Sequence, residues 1–536
     1  MTSPAPTLAR PTEPHGPALW NLSATQLAEA IRAGDVSAEA VVGAHIERIE
    51  AVNPRLNAVT LPRFAEARRE AAAADAARRN GQPLGPLHGV PITVKDQFDV
   101  AGLPTTLGLA RLRENIAAAD GQMVAALRTA GAIVLGKTNV PQTLSVIETE
   151  NAVWGRTNNP WNLERSVGGS SGGEAAIVAA GGSALGLGGD YGGSLRVPAA
   201  YCGLCTLRPT ARRLPGDRFP VRTAEGAEVI VAQPGPMARS VADVALGLRV
   251  MVAHVAAHPT AYNPPLPWQA PEAVDLRRLR VAVLPQVGDW VPAPAVRRGL
   301  KEAAEALRAQ GVTVETWTDA PDTLEGVLLF FKLIAAGGFA AMEQLLEEEA
   351  PISLLQPTRQ LTSMPGALIP VFARLLERRG SGRLARMLRC TGRQTAAGYL
   401  DLAGDRLRFE GRFRAALQAA GYDALLLPAM PLPAVPHGYS GALADFWGTA
   451  TLFNVLGWPA GVVPVTRVRP GEESDRPASR ERTENAAREV EQGSAGLPVT
   501  VQVAATPWRE DVVLALMSAV EHHCQGATDY PTQPPL

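Results

Sequence analysis

Residues 168–196 read GGSSGGEAAIVAAGGSALGLGGDYGGSLR, and eleven of these residues are glycines. Glycine lets a backbone approach a ligand closely and turn its N–H groups inward. Ser194 directly follows the glycine pair at 192–193. A serine so placed suits a nucleophile that attacks a carbonyl carbon, because backbone N–H groups beside it can stabilise the negative oxygen that forms. The stretch therefore predicts a pocket for acyl transfer.

A serine nucleophile needs a base, and that base is usually a histidine. The stretch contains no histidine, and His88 lies instead in a second motif, GPLHGVPITVKD, at residues 85–96. We interpret His88 as a hydrogen-bonded structural residue. Ile92–Val94 reads as a short buried strand that ends at Lys95. Burial favours the neutral amine and lowers the pKa of a lysine, so Lys95 can serve as the base.

Together the two motifs resemble the amidase signature family of serine hydrolases, which use a Ser–Ser–Lys triad. The resemblance implies that Lys95 is the base, Ser170 the bridging serine and Ser194 the nucleophile. Lys95 and Ser170 are 75 residues apart, and Ser194 follows 24 residues later. These separations agree with the family's spacing. The resemblance also implies a cis peptide between Gly169 and Ser170.

Further matching segments extend the resemblance from about residue 85 to residue 520, and the chain is most similar to the fatty acid amide hydrolase subgroup. The implied activity is hydrolysis of the C–N bond of a linear carboxamide, with an apolar acyl or amine part, through an acyl-serine intermediate. The alternative is an A-type amidotransferase subunit that releases ammonia from glutamine. The apolar run LLFFKLI at 328–334, together with Val371–Phe372, favours the first activity, because a glutamine headgroup needs a polar pocket.

Several further residues are predicted to serve the substrate. The backbone N–H groups of Tyr191, Gly192, Gly193 and Ser194 are expected to bind the oxyanion. Leu144 is expected to line the acyl side of the pocket, from its place in the interval between the lysine and the serines. The triad chemistry needs no cofactor and no metal, so we expect neither.

Three polar residues of the glycine-rich stretch are candidates for supporting the triad from behind. They are Ser171, Asp190 and Arg196. Buried polar groups of this kind often only hold loops together, so both roles stay open at this point.

The pattern of short apolar strands and small-residue helices over residues 85–250 predicts an α/β fold with parallel strand pairs. The family resemblance implies a central twisted mixed β-sheet covered by helices on both faces. We expect one domain over residues 21–530 after a disordered tail at 1–20. Within the domain, 320–420 reads as a helical substrate-channel region, and 469–495 reads as an exposed charged insertion.

Composition limits the partners and the compartment. The 536 residues include 51 basic and 52 acidic side chains, and this balance gives no electrostatic reason to expect nucleic acid as a partner. Four cysteines do not form a disulfide framework in a chain of this length, so we expect a cytoplasmic protein. The polar, proline-rich N-terminal residues predict neither a transmembrane segment nor a secretory signal. The expected partner is a small amide.

Two short motifs invite other interpretations. Residues 131–138, GAIVLGKT, match the phosphate-binding loop of ATPases, but Ile133–Leu135 reads as a strand where that loop should curl. Cys202 and Cys205 form a C-x-x-C pair without a second pair of ligands, and we interpret them as small core residues.

Residues 367–389 combine an apolar stripe at helical spacing with a row of arginines. The stripe consists of Leu368, Val371, Phe372, Leu375 and Leu376. The arginines are Arg374, Arg378, Arg379, Arg383, Arg386 and Arg389. Such a segment is typical either of a lid that packs its stripe on the domain or of a helix that lies on an anionic membrane surface.

Overall fold

The glycine-rich stretch folds into a helix, a strand and a second helix at the centre of the molecule. The computed structural model describes residues 18–216, 229–356, 359–360 and 364–536. In it, α5 (Gly172–Ala179) leads into β8 (Leu185–Asp190), and α6 (Arg196–Cys202) follows. All three elements are buried, because their small residues let neighbouring elements approach closely.

Fifteen strands occur in the described residues. They are β1 (Val59–Pro62), β2 (Pro91–Lys95), β3 (Ile133–Thr138), β4 (Glu150–Asn151), β5 (Gly155–Arg156), β6 (Asn158–Asn159), β7 (Asn162–Ser166), β8, β9 (Cys205–Arg208), β10 (Gln233–Ala238), β11 (Arg280–Val283), β12 (Thr313–Thr316), β13 (Ala424–Pro428), β14 (Ala460–Arg467) and β15 (Pro498–Ala505).

Sixteen α-helices accompany them in the same residues. They are α1 (Ala24–Ala33), α2 (Ala38–Leu56), α3 (Phe64–Arg79), α4 (Gln122–Thr129), α5, α6, α7 (Val241–Ala257), α8 (Pro294–Ala309), α9 (Thr323–Ala335), α10 (Ala340–Leu346), α11 (Ile369–Arg378), α12 (Gly382–Cys390), α13 (Ala396–Ala419), α14 (Gly448–Leu456), α15 (Arg482–Glu491) and α16 (Glu510–Cys524). Ser23 and Gln26 form a capping box at the start of α1.

Eleven of the strands form one mixed sheet in the order β1-β3-β2-β8-β10-β9-β14-β15-β13-β11-β12. β2 lies parallel to both β3 and β8, and β11 lies parallel to β12 and β13. The remaining pairs are antiparallel. The predicted central mixed sheet is therefore confirmed, with parallel groups at both sides of an antiparallel centre.

Helices cover both faces of this sheet, as strand β13 illustrates. Leu426 faces a large core that includes α8 and α16. Leu425 and Leu427 face a second core built with α9, α13 and α14. Neighbouring residues of a strand point to opposite faces, so a strand that is apolar throughout must be covered on both sides.

Two predicted segment boundaries differ from the structure. Of the tail predicted for 1–20, residues 1–17 lie outside the described residues, whereas Leu19–Asn21 form a 3₁₀ turn. The tail prediction is wrong for these last residues, because the guanidinium of Arg48 stacks 4.4 Å from the ring centroid of Trp20.

The segment 469–495 is partly exposed, but it is not a simple exposed insertion. It contains α15, whose Ala487 and Val490 are buried in the large core. The carboxylate of Glu491 is also buried and forms an ion pair with Arg476 at 2.7 Å. The charged residues that predicted exposure thus form ion pairs, some within the segment and others with the rest of the domain, such as Arg298 with Glu472.

Candidate active site

Lys95 and Ser170 are in direct contact. Lys95 is the last residue of β2, and Ser170 lies just before α5. Lys95 Nζ donates a hydrogen bond to Ser170 Oγ at 2.8 Å and lies 3.3 Å from the carbonyl oxygen of Gly189. The exposed fractions are 1% for Lys95 and 2% for Ser170. The Gly169–Ser170 peptide is cis, as the family resemblance implies.

Ser194 lies between β8 and α6 and is half-buried. The backbone N–H of Ser171 donates to the carbonyl of Ser194 at 3.2 Å. The hydroxyl of Ser171 donates to the carbonyl of Gly189 at 3.3 Å. The loop that carries Ser170 is thereby joined to the loop that carries Ser194.

Burial lowers the pKa of Lys95 to about 7, while the nearby carboxyls of Asp190 and Glu174 oppose this shift. A lysine in this state is partly a neutral amine at neutral pH. Its free electron pair can then take a proton from the Ser170 hydroxyl that it contacts.

The expected oxyanion donors are not all equivalent. The N–H of Gly193 donates to the Asp190 carboxylate at 2.9 Å, and the N–H of Leu195 donates to the same carboxylate at 3.3 Å. In this structure the Gly193 N–H is thus bonded to a side chain three residues earlier, whereas the oxyanion role predicted for it stays a prediction. Tyr191 and Gly192 lie at the accessible side of the same turn.

Asp190 and Arg196, two of the predicted supporting residues, form a buried ion pair at 3.0 Å. Burial alone would raise the pKa of Asp190, but the Arg196 guanidinium holds that pKa well below its usual range. Arg196 also donates to the side-chain oxygens of Asn454 at 2.7 Å and Gln502 at 2.9 Å. Two distant segments of the chain, on α14 and β15, thus meet behind the Ser194 loop.

An aromatic cluster lies over the glycine turn. The rings of Tyr191 and Phe330 are 6.3 Å apart between centroids, and Phe330 contacts Phe331, which in turn contacts Trp447. A Cβ atom at Gly192 would lie 2.6 Å from Phe330 Cζ, so the bare backbone there lets the ring approach. The apolar run 328–334 is thereby brought to the site, as the sequence predicts.

The other residues considered from the sequence are a leucine, a histidine and two cysteines. Leu144 is half-buried in a separate apolar cluster with Leu107 and Met342. The His88 ring is hydrogen-bonded to the carbonyl oxygen of Ala74 at 3.0 Å, which confirms a structural residue. Cys202 and Cys205 are free thiols buried in the core, as interpreted from the sequence.

The segment 131–138 contains the strand β3, so the prediction of a strand in place of a phosphate-binding loop is confirmed. Lys137 forms a buried ion pair with Asp96 at 3.0 Å. Its ammonium also donates to the hydroxyl of Thr105 at 2.8 Å. This lysine is thus held by protein groups on the flank of the site.

The segment 367–389 forms two helices, α11 and α12, separated by a turn at Gly380. α12 packs against α9, and its Arg383 and Arg386 pair with Asp289. Most of the apolar stripe of α11 is exposed, with 60% of Val371 and 43% of Phe372 accessible. Leu376 instead packs against a small cluster that α11 forms with α12. A lid that packs its whole stripe on the domain is therefore wrong for α11.

One buried residue of the site, Glu174, is not among the residues predicted from the sequence. Glu174 is the third residue of α5 and has no exposed surface. Its carboxylate accepts hydrogen bonds from the hydroxyls of Thr93 and Thr138. The signal was present in the sequence, because Glu174 is the one charged residue in a helix made otherwise of glycine, alanine, isoleucine and valine.

Comparison with known proteins identifies the family of this chain. The family model described as Amidase matches residues 40–514. The chain belongs to the amidase family. It is 33% identical over 509 residues to fatty-acid amide hydrolase 1 of Sus scrofa, which covers 94% of this chain and 86% of that protein. The amidase is thus a hydrolase that acts on the C–N bonds of small amides.

A solved structure of a fatty acid amide hydrolase matches this amidase with a TM-score of 0.81 and 27% identity, over 95% of this chain and 86% of that chain. The A-type subunit of the glutamyl-tRNA(Gln) amidotransferase of Roseiflexus castenholzii is 39% identical over 297 residues, which is 55% of this chain and 59% of that protein. Among the described residues of the amidase, no helix is both long and apolar enough to cross a bilayer.

Proposed function

We propose that the amidase hydrolyses linear carboxamides through an acyl-serine intermediate on Ser194, with Ser170 and Lys95 as proton relay. The contact of 2.8 Å between Lys95 Nζ and Ser170 Oγ carries this proposal. Neutral Lys95 takes the proton of Ser170 while Ser170 takes that of Ser194, and Ser194 Oγ attacks the amide carbon. The relay then returns the proton to the leaving nitrogen, and water hydrolyses the acyl-serine.

The oxyanion of the tetrahedral intermediate is bound, in this proposal, by the backbone N–H groups of Tyr191, Gly192 and Ser194. Gly193 acts differently from the sequence prediction. Its N–H bond to Asp190 holds the turn in shape, so that the other N–H groups converge on one point. Loss of a single donor of this kind typically lowers the rate by about 10²–10³.

The substrate is proposed to carry an apolar acyl or amine part. The cluster of Tyr191, Phe330 and Phe331 supports this, because an aromatic wall beside the nucleophile binds apolar groups and offers no partner for a charged headgroup. Leu144 stays a predicted residue of the acyl side, and it packs against an apolar cluster that includes Leu107.

The amidotransferase role is the weaker candidate. The similarity to the amidotransferase chain covers little more than half of this chain, whereas the similarity to the fatty-acid amide hydrolase covers nearly all of it. The aromatic wall also differs from what a glutamine headgroup requires.

We also propose a cytoplasmic enzyme that contacts membranes peripherally through α11. The four cysteines are free thiols, which suits a reducing compartment. The exposed apolar stripe of α11 and its neighbouring arginines form the combination that binds anionic bilayer surfaces.

A panel of p-nitroanilides with acyl chains of graded length tests the substrate proposal. We expect kcat/KM to rise with apolar chain length, and we expect Ser194→Ala to be inactive on every member. Release of ammonia from glutamine should be negligible beside these rates. Glutamine as the best substrate would instead support the amidotransferase role.

A further inference from the structure

The Glu174 carboxyl is hydrogen-bonded to the strand that carries the proposed base and to the neighbouring strand. Its Oε1 accepts a hydrogen bond from the hydroxyl of Thr93, and its Oε2 accepts one from the hydroxyl of Thr138 at 2.8 Å. Thr93 precedes Lys95 by two residues on β2, so the two side chains point to the same face of the sheet. Thr138 on β3 is the register partner of Lys95. The carboxyl is therefore held on the face from which the Lys95 side chain projects.

The sheet leaves space for this carboxyl at one glycine. Gly186 on β8 is the register partner of Thr93. A Cβ atom at Gly186 would lie 2.3 Å from Glu174 Oε1, which is too close for any side chain. The Glu174 carboxyl is thus contacted by residues of three neighbouring strands, β2, β3 and β8.

Two other charged groups near the Glu174 carboxyl form ion pairs with other residues. Asp190 at the end of β8 is bound by Arg196. Lys137 on β3 is bound by Asp96. Lys95 is the cation whose charge acts on Glu174.

On helix α2, which packs on α5, two of the titratable groups are bonded to backbone carbonyls. The His45 ring is hydrogen-bonded to the carbonyl oxygen of Val41. Arg48 reaches the carbonyl of Ala180, past the far end of α5. Neither group competes with Lys95 for the carboxyl.

We propose that Glu174 is a positioning residue of the triad, and that its carboxylate is the counter-ion of the Lys95 ammonium. The proposal rests on the triad of the proposed function. The ammonium forms when the proton of Ser194 Oγ passes to Ser170 Oγ and the proton of Ser170 Oγ passes to Lys95 Nζ. The ammonium becomes neutral again when Lys95 Nζ returns a proton to Ser170 Oγ and Ser170 Oγ passes a proton to the leaving amine. In its ionised form Glu174 stabilises this charged state, and the transferred protons do not pass through it.

The titrations of the two groups are coupled. Burial raises the pKa of Glu174, while the hydroxyls of Thr93 and Thr138 and the charge of Lys95 oppose the shift. Burial lowers the pKa of Lys95 to about 7. Each group is therefore easier to ionise when the other is ionised too.

The test is the pH dependence of kcat/KM for Glu174→Gln on a small soluble anilide. Glutamine keeps the shape and can still hydrogen-bond both threonines, but it has no charge. Without the carboxylate the ammonium of Lys95 is less stable. We expect the acid limb to move to lower pH by about one unit. The plateau should fall by roughly tenfold, because the base is weaker.

Glu521→Gln is the matched control. Glu521 is also a buried carboxyl with a pKa raised by burial to about 7, but it is bound to Val241 and Cys205, away from the triad. We expect its acid limb to stay where that of the wild type is. A folded Glu174→Gln enzyme with the wild-type limb would overturn the proposal and leave Glu174 a structural residue.

Thr138→Val keeps the test decisive if Glu174→Gln does not fold. It removes one hydrogen bond from the carboxylate, so the limb should move in the same direction by a smaller amount. An unmoved limb in this variant would also overturn the proposal. Failure of the triad itself has a different signature, because Lys95→Ala would then retain the wild-type acid limb.

Discussion

Lys95 shows how one residue's chemistry follows from its surroundings. A strand buried on both faces ends at this lysine, and the cost of burying a charge lowers its pKa to about 7. A lysine on an exposed loop would be an ammonium at neutral pH and could accept no proton. The ability of Lys95 to act as a base therefore depends on its burial at the end of a strand as well as on its residue type.

The pH dependence of the wild-type enzyme follows from this shift. Neutral Lys95 is the active form, so kcat/KM should rise as the pH increases through about 7. Lys95→Ala should lose most of the rate together with this limb. Steady-state kinetics on a soluble anilide over the pH range checks both, and a Lys95→Ala profile of wild-type shape would assign the base to another group.

The residue scale also shows where sequence reasoning stops. The type and order of Lys95, Ser170 and Ser194 are visible in the sequence, and the structure places Lys95 beside Ser170. The bond from Gly193 N–H to Asp190 was not predictable, because it depends on which way one peptide faces. The role of Glu174 could not be inferred from the sequence, because its hydrogen-bond partners Thr93 and Thr138 are distant from it in the chain.

At the scale of elements, strands were easier to predict than the surface helices. The apolar runs Ile92–Val94 and Ile133–Leu135 fall inside β2 and β3. The segment 367–389 was harder, since helical spacing shows a stripe but not what covers it. The structure divides the segment at Gly380 and leaves most of the stripe of α11 exposed.

The exposed stripe of α11 predicts binding to membrane surfaces. The amidase should co-sediment with anionic liposomes but not with neutral ones, because the arginines beside the stripe need anionic headgroups. Arg378→Glu combined with Arg379→Glu should weaken this binding several-fold and leave hydrolysis of a small soluble amide unchanged.

Arg277→Glu combined with Arg278→Glu is the matched control for that charge reversal, since these residues form an adjacent arginine pair on another turn. We expect this control to bind liposomes like the wild type. Equal loss in both double variants would show a general charge effect, and absence of co-sedimentation at low salt would remove the membrane role of α11.

At the scale of the whole molecule, Arg196 joins the catalytic loop to the C-terminal part of the sheet. Its guanidinium bonds to Asp190, Asn454, Gln502 and the carbonyl of Ala450. These residues are far apart in sequence, so the contacts can form only when the two halves of the sheet have come together. Asn454 and Gln502 lie 48 residues apart in the sequence, and their common partner is visible only in the structure.

Arg196→Ala should therefore destabilise the whole domain. It leaves the Asp190 carboxylate buried without its main partner, which typically costs about 3–5 kcal/mol. Chemical denaturation followed by circular dichroism measures this as a lower unfolding midpoint. Arg412→Ala, which removes an exposed ion pair with Glu325, should leave the midpoint nearly unchanged. Equal midpoints for the two variants would contradict the role given to Arg196.

Covalent labelling of Ser194 tests the central claim most directly. A fluorophosphonate reacts with the activated serine of a serine hydrolase, and peptide mapping by mass spectrometry then identifies the modified residue. We predict a single adduct on Ser194, its absence in Ser194→Ala, and loss of amide hydrolysis in parallel with labelling. An adduct on another serine, or labelling of Ser194→Ala at the wild-type rate, would contradict the proposed mechanism.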